Sequence, residues 1–256
     1  MIDRISNRMR ARSAALILSL DHRLDVILKY WLVIAGFASA VRIVASSGSM
    51  PLAGYSTFAS YMLLVVAPFA STLLALRWFS DGHLQPQPAT RLARLGFWRN
   101  VDRAEAERHP LYGVSGIMAS LIVGIMLNVP VRAGEYLAAM PPVPAEHPYW
   151  FSVLHFAMTA DLLLFTSLYM IAFVAALRRV PLFPRLILAI WIGDLAMQIA
   201  IAQMVSTTDL PAAVAGALKM LLVGNVKKVL ISIALWLPYL LLSTRVNVTY
   251  RHRVPT

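Results

Sequence analysis

The chain has 256 residues, 59% hydrophobic and only 14% charged, with a mean hydropathy of +0.68, a composition outside the range of soluble globular domains. It contains no cysteine, which excludes disulfides, thiolate metal sites and cysteine nucleophiles. Its net charge of +11 comes from 23 Lys and Arg that gather between apolar stretches. That is how a membrane protein faces anionic lipid, and not the pattern of a nucleic-acid binder.

Residues 2–20 interleave Ile2, Ile5 and Met9 with arginines and then run into Ala14-Ala15-Leu16-Ile17-Leu18. This predicts an interfacial helix with a basic face. The first predicted span covers 28–46, with Arg42 near its end, placed to snorkel to the interface as an anchor. Ala38-Ser39-Ala40 resembles a signal-peptidase site, but the preceding region is too long and carries Asp3, Asp21 and Asp25, so the helix is expected to be retained. A second span is predicted over 56–78. The basic connector that follows includes 90–100, where Leu92, Leu95 and Trp98 suggest either an interfacial helix or an ordinary solvated loop.

The third span is predicted over 111–130, with Gly116, Ser120 and Gly124 forming a narrow ridge for close helix approach, as Gly36 and Ala40 do in the first. The fourth and fifth, 149–177 and 182–205, are joined by a short turn around Pro181 and Pro184 and should be antiparallel neighbours. The sixth is predicted over 219–243. Lys219, Asn225, Lys227 and Lys228 occupy its first half and Pro238 its second, suggesting an interfacial helix near 211–224 followed by a shorter span.

Eighteen of the 23 basic residues fall before the first span, after the second, in the turn at 178–185 or after the last. The connectors at 47–55, 131–148 and 206–218 are nearly free of them, with Arg132 set against Glu135 and Glu146. The positive-inside pattern therefore predicts an all-α polytopic bundle of about six spans, both termini cytoplasmic, in a bilayer with anionic cytoplasmic headgroups.

Asp161 and Asp194 lie near the middle of the fourth and fifth spans, where each carboxylate costs roughly 2.5–3.5 kcal/mol. Lys227 and Lys228 enter to a similar depth, so a buried pair between an aspartate and one of these lysines would offset much of that cost. His155, Gln198 and Gln203 extend the candidate network. Two readings stand: the network binds an ion, a proton or a polar substrate, or it only fixes helix register. The balance tilts modestly to register.

Enzyme readings fare worse. Gly113-Val114-Ser115-Gly116 matches the G-x-S-G string of rhomboid intramembrane proteases, but the topology separates Ser115 from His155, the histidine inside a span, by much of the bilayer. Glu146, His147 and His155 lack metal-ligand spacing. There is no P-loop and no dinucleotide fingerprint, and no cofactor is implied.

Three stretches carry a family resemblance. Tyr112-Gly113-Val114-Ser115-Gly116 resembles a glycine-bracketed helix start, with Ile117 where Trp commonly follows. Arg178 to Pro184 resembles a basic, proline-containing turn. Leu235-Trp236-Leu237-Pro238-Tyr239-Leu240, then Ser243-Thr244-Arg245-Val246 and Thr249-Tyr250, resembles a closing W-x-P-Y and S-x-R-V pattern. Together they resemble the DUF2569 family of uncharacterised bacterial four-helix membrane proteins. The resemblance covers about 111–250, the long outer loop after its first helix included, and implies an architecture in the inner membrane without an activity. It divides the chain into an N-terminal region, 1–110, with two spans and a basic cytoplasmic segment, and a four-helix domain, 111–256. Tyr239 then suits an interfacial position, and Arg245 an anchor at cytoplasmic phosphates.

The reading favoured by sequence is a non-enzymatic component of a membrane or envelope assembly, with another membrane protein as partner. The alternatives are a small transporter or ion- or proton-coupled protein using the intramembrane Asp and Lys residues, and a membrane-embedded enzyme on a lipid-linked substrate.

Overall fold

The computed structural model describes residues 2–47, 51–91 and 96–256, the side chains of 2–10 excepted. The protein is 77% helical, with nine α-helices among the described residues, six of them long and apolar enough to cross a membrane. These six are α2 (Leu24–Ser47), α3 (Gly54–Trp78), α5 (Ile117–Ala139), α6 (Tyr149–Leu177), α7 (Phe183–Ser206) and α8 (Ala212–Leu242), with the short α4 (Arg103–Arg108) between the second and third of them. They confirm the expected all-α bundle of six spans. An even number of crossings brings both ends of the chain to the same end of the bundle, called here the terminal end.

Three boundaries differ from expectation. Helix α5 runs through Pro130 to Ala139, so Arg132 and Glu135 belong to the helix and not to the connector. A proline inside a membrane helix is tolerated where neighbouring groups satisfy the freed carbonyl. Helix α8 is one continuous 31-residue element from Ala212, not an interfacial helix followed by a short span. Residues Trp98–Asn100 form a strand, β1, and not an interfacial helix; it pairs antiparallel with β2 (Arg253–Pro255), Trp98 opposite Pro255. Leu92, Arg94 and Leu95 lie outside the described residues. Helix α1 (Ile2–His22) does form at 2–20; the side chains of Ile2, Ile5 and Met9 lie outside the described ones.

Helix α6 is the central post. Two-thirds of its apolar window is buried (67%), against 11% for α8 at the periphery. It packs against α3, α5 and α7. One core cluster, nearer the terminal end, joins Ile122, Phe165, Phe173, Phe183 and Ile187. A second joins Ala35, Leu64, Tyr136, Met158, Ile201 and Leu222. Helices of the first 110 residues thus pack directly on the later ones, and the Trp31 indole donates to Val65 O at 2.9 Å. Because lipid is as apolar as these side chains, close packing and polar contacts, not hydrophobic burial, hold such helices together.

Among the described residues, no helix packs on the expected small-residue ridge at Gly124. Ser120 and Gly124 are exposed, and no atom lies within 4 Å of a Cβ built on Gly124 or Gly36.

The terminal end is closed by polar tethers. Gly113 and Gly116 have φ of 97° and 65°, left-handed values that suit glycine and turn the chain into α5. Gly113 N donates to Thr249 Oγ1 at 2.9 Å and Gly116 N to Ser13 Oγ at 2.7 Å. Helix α9 (Thr244–Arg251) is largely buried, and the Tyr250 hydroxyl donates to Ala176 O at 2.9 Å. The Tyr250 and Phe183 rings are 5.1 Å apart, and the Arg179 guanidinium stands over Tyr112 at 5.4 Å. The segments 112–116, 178–184 and 243–250 therefore converge on one place.

Candidate functional site: an intramembrane charge cluster

Three helical stripes set the site. On α6, Asp161, Phe165 and Tyr169 follow one another at four-residue spacing, so they share a face. On α7 the buried stripe carries Asp194 and Gln198. On α5, Val129, Ala133 and Tyr136 turn inward, and Arg132 lies beside them.

The structure brings Asp161 and Asp194 together around Arg132. Arg132 Nη1 donates to Asp161 Oδ2 at 3.1 Å, and Nη2 donates to Asp194 Oδ2. Gln198 Nε2 donates to Asp161 Oδ1 at 3.1 Å and to Asp194 Oδ1 at 3.3 Å. The Tyr169 hydroxyl donates to Asp194 Oδ2 at 3.2 Å, and Asn225 Nδ2 reaches Gln198 Oε1 at 3.3 Å. Asp194 is 0% exposed and Asp161 5%, so water does not dilute these contacts. The guanidinium also stacks over Phe165 at 5.2 Å and Tyr169 at 5.7 Å, covering its faces with ring electrons.

The cation is thus Arg132 and neither lysine. Lys228 pairs instead with Glu135, and both side chains are about half exposed. Lys227 is exposed and turned away from the cluster. Successive helical residues point about 100° apart, so only one of two adjacent lysines can face a given neighbour. His155 does not touch the carboxylates. It meets the Tyr136 hydroxyl at 3.2 Å, and that hydroxyl also bonds Thr159 at 2.7 Å. Gln203 is exposed and outside the network.

Beside the cluster lies a cleft of about 380 Å³ between α5, α6 and α8. Arg132, Asp161, Tyr136 and Tyr169 line it, together with Glu135 of α5 and Lys228 of α8. Asn128 also lines it, and its Oδ1 is buried with no hydrogen-bond partner. An unpaired buried acceptor beside two ion pairs gives this otherwise largely apolar cleft a polar side.

The other expected residues have structural surroundings. Arg42 lies near the end of α2 against Tyr61 of α3. Tyr239 packs edge-on against Trp236 at 6.1 Å. Arg245 Nη1 donates to Gly113 O at 3.0 Å, tethering the turn before α5.

Ser115 precedes α5 at the terminal end, whereas His155 is 22 residues before the end of α6, about 33 Å away along the helix. No dyad forms. His147 and His155 both face the Phe151 ring, at 5.5 and 5.9 Å, which stands between the two imidazoles.

Sequence reasoning misses Arg132 and Glu135 because Pro130 reads as the end of the third span. The signal was present in the spacing: Asn128, Arg132 and Glu135 recur at helical intervals and continue the apolar stripe of Ile125 and Val129. Compared with protein-family profiles, curated proteins and solved structures, the chain has no significant match.

Proposed function

We propose that this integral membrane protein is a small ion- or proton-coupled transporter, or the carrier subunit of one, with the α5–α6–α8 cleft as its working site. We place it in the bacterial inner membrane with both termini cytoplasmic. One observation carries the reading: two buried carboxylates share one guanidinium beside a cleft with a polar side. With all three ionised the cluster keeps one net negative charge, which a proton or a small cation neutralises. Fixing helix register needs one acid for one base, so the second aspartate is surplus to that role. Glu135 and Lys228 give an entering charge polar company in place of hydrocarbon.

The test is proton flux in proteoliposomes, followed with an internal pH dye under an imposed potential. Asp161→Asn and Asp194→Asn each lower the flux at least about a hundredfold, the lower end of the range for a lost proton-transfer group, while Lys227→Gln leaves it unchanged. Equal, non-zero flux in the wild type and the Asp194→Asn variant removes that group from the mechanism. A wild-type flux no greater than that of empty liposomes overturns the reading.

A second reading, a non-enzymatic component of an envelope assembly, draws on one observation. Ser120 and Gly124 are exposed, and among the described residues no atom lies within 4 Å of a Cβ built on Gly124, as suits a ridge for a helix of another membrane protein. Pull-down in mild detergent with Gly124→Leu tests it; loss of a partner on substitution supports it.

We also read residues 111–250 as DUF2569-like, with 1–110 as an addition. What supports this is that the three motif segments meet at one end, where they have an architectural task.

A further inference from the structure

Away from the cleft, the terminal end carries a second charged cluster, and this one is cationic. Arg91 Nη1 donates to Asn100 Oδ1 at 2.8 Å and to Arg251 O at 2.7 Å. Arg185 Nη2 donates to Thr90 Oγ1 at 2.6 Å. Arg251 Nη1 donates to Leu240 O at 2.8 Å and Asn247 Oδ1 at 3.1 Å. Each of these acceptors is neutral. Among the described residues no carboxylate pairs with Arg91, Arg185 or Arg251.

Arg251 is the costly member. It is 3% exposed, and its Nη2 is buried with no hydrogen-bond partner. Burial, then the cations of Arg253 and Arg185, lower its pKa to about 10. It lines a recess with Gln87, Arg91 and Arg185, and the Gln87 Oε1 in that recess is also without a partner. The recess holds about 10 Å³, room for one water and not for an anion. Its field therefore acts through the recess on whatever sits outside, between Arg91 and Arg185.

What lies outside is amphipathic. A hollow of about 360 Å³ has Thr90, Arg91 and Arg185 at its head and Leu188, Ala189 and Ile192 of α7 as its floor. Ala189 also belongs to an apolar groove of about 430 Å³ between α6 and α7, which runs past Gly193 to Ala200. From Ala189 to Ala200 the helix rises about 16 Å, roughly half of the ~30 Å hydrocarbon core. Neither hollow shares a residue with the α5–α6–α8 cleft.

We propose that this head and groove form a binding site for one anionic phospholipid, with its phosphate between Arg91 and Arg185 and an acyl chain lying along α7. A phosphate accepts from two guanidiniums in forked geometry and supplies the counter-charge that the described residues lack. The apolar groove of one leaflet's depth selects a lipid over a free anion.

Native mass spectrometry of the full chain from detergent tests this with phosphatidylglycerol, phosphatidylcholine and inorganic phosphate as probes. The expected result is one retained phosphatidylglycerol, with phosphatidylcholine at least about tenfold weaker, the weight of one charge-assisted contact. Arg185→Gln lowers phosphatidylglycerol retention by a similar factor. Arg91 is bonded to the C-terminal segment, so its variant bears on folding; Ala189→Trp fills the groove from an exposed position and removes lipid retention in a folded protein. Equal retention of the two lipids overturns the site, as does phosphatidylglycerol retention unaffected by both Arg185→Gln and Ala189→Trp. Displacement of phosphatidylglycerol by millimolar inorganic phosphate overturns the acyl-chain part of the assignment.

Discussion

Arg132 of α5 and Asp194 of α7 form an ion pair across the face of α6, and Asp161 of α6 joins the same guanidinium. Three helices are thereby linked through one side chain. Removing it leaves two carboxylates with Gln198 and Tyr169 as their remaining donors.

Arg132→Gln therefore lowers stability by about 3–5 kcal/mol, the cost of stranding buried charge. Unfolding midpoints in detergent measure it. Because Asp194 loses its own partner at the same time, adding Asp194→Asn recovers part of the loss, and a double-mutant cycle gives a coupling well above 0.5 kcal/mol. Strict additivity contradicts the pair.

The Glu135–Lys228 pair behaves differently. Its side chains are 42% and 56% exposed. Lys228→Gln changes stability by less than about 1 kcal/mol, within the range of exposed pairs. On the transport reading the same substitution alters flux through the cleft.

The C-terminal closure rests on Tyr250. Its hydroxyl is buried and donates to Ala176 O at 2.9 Å. Tyr250→Phe leaves that carbonyl without its donor and lowers stability by about 1–3 kcal/mol. A tail more readily cut by carboxypeptidase in the folded protein reports the same loss.

The helices were legible in the sequence and the charge partner was not. Length and hydropathy mark six spans because lipid demands continuous helices of about 20 residues. Asp161 and Asp194 were legible for the same reason, since a charge in apolar sequence stands out. Arg132 was hidden by Pro130, which reads as a helix end. Lys227 and Lys228 took its place because sequence gives depth but not the side of a helix. Trp98–Asn100 became a strand only because the chain's last residues return to pair with it, a contact between positions more than 150 apart.

Acid weakens the terminal end. His252 is buried, and burial first, then the Arg91 and Arg103 cations, lower its pKa below the ordinary 6.5. The unfolded chain therefore binds the proton more readily. The stability this residue contributes is present above about pH 6.5 and is lost as the pH falls through that value toward the folded pKa. Unfolding midpoints at pH 5.5 and 7.5 show a smaller difference for His252→Asn than for the wild type. An equal difference removes His252 from the account.

Orientation is tested by fusions. Fluorescent-protein fusions to the C-terminus are bright, and alkaline-phosphatase fusions after Ala145 are active, when both termini are cytoplasmic. The reverse pattern inverts the bundle.

The most direct test of the cleft uses two adjacent residues of α8 in a chain that has no cysteine of its own. Ser232 lines the cleft, while Ile231 is 66% exposed on the outer surface of the helix. With Ser232→Cys and Ile231→Cys in liposomes, a charged maleimide reacts only where water reaches a thiolate. Labelling is expected at position 232 and not at 231. Silence at 232, or equal labelling at both, contradicts a polar working site between α5, α6 and α8.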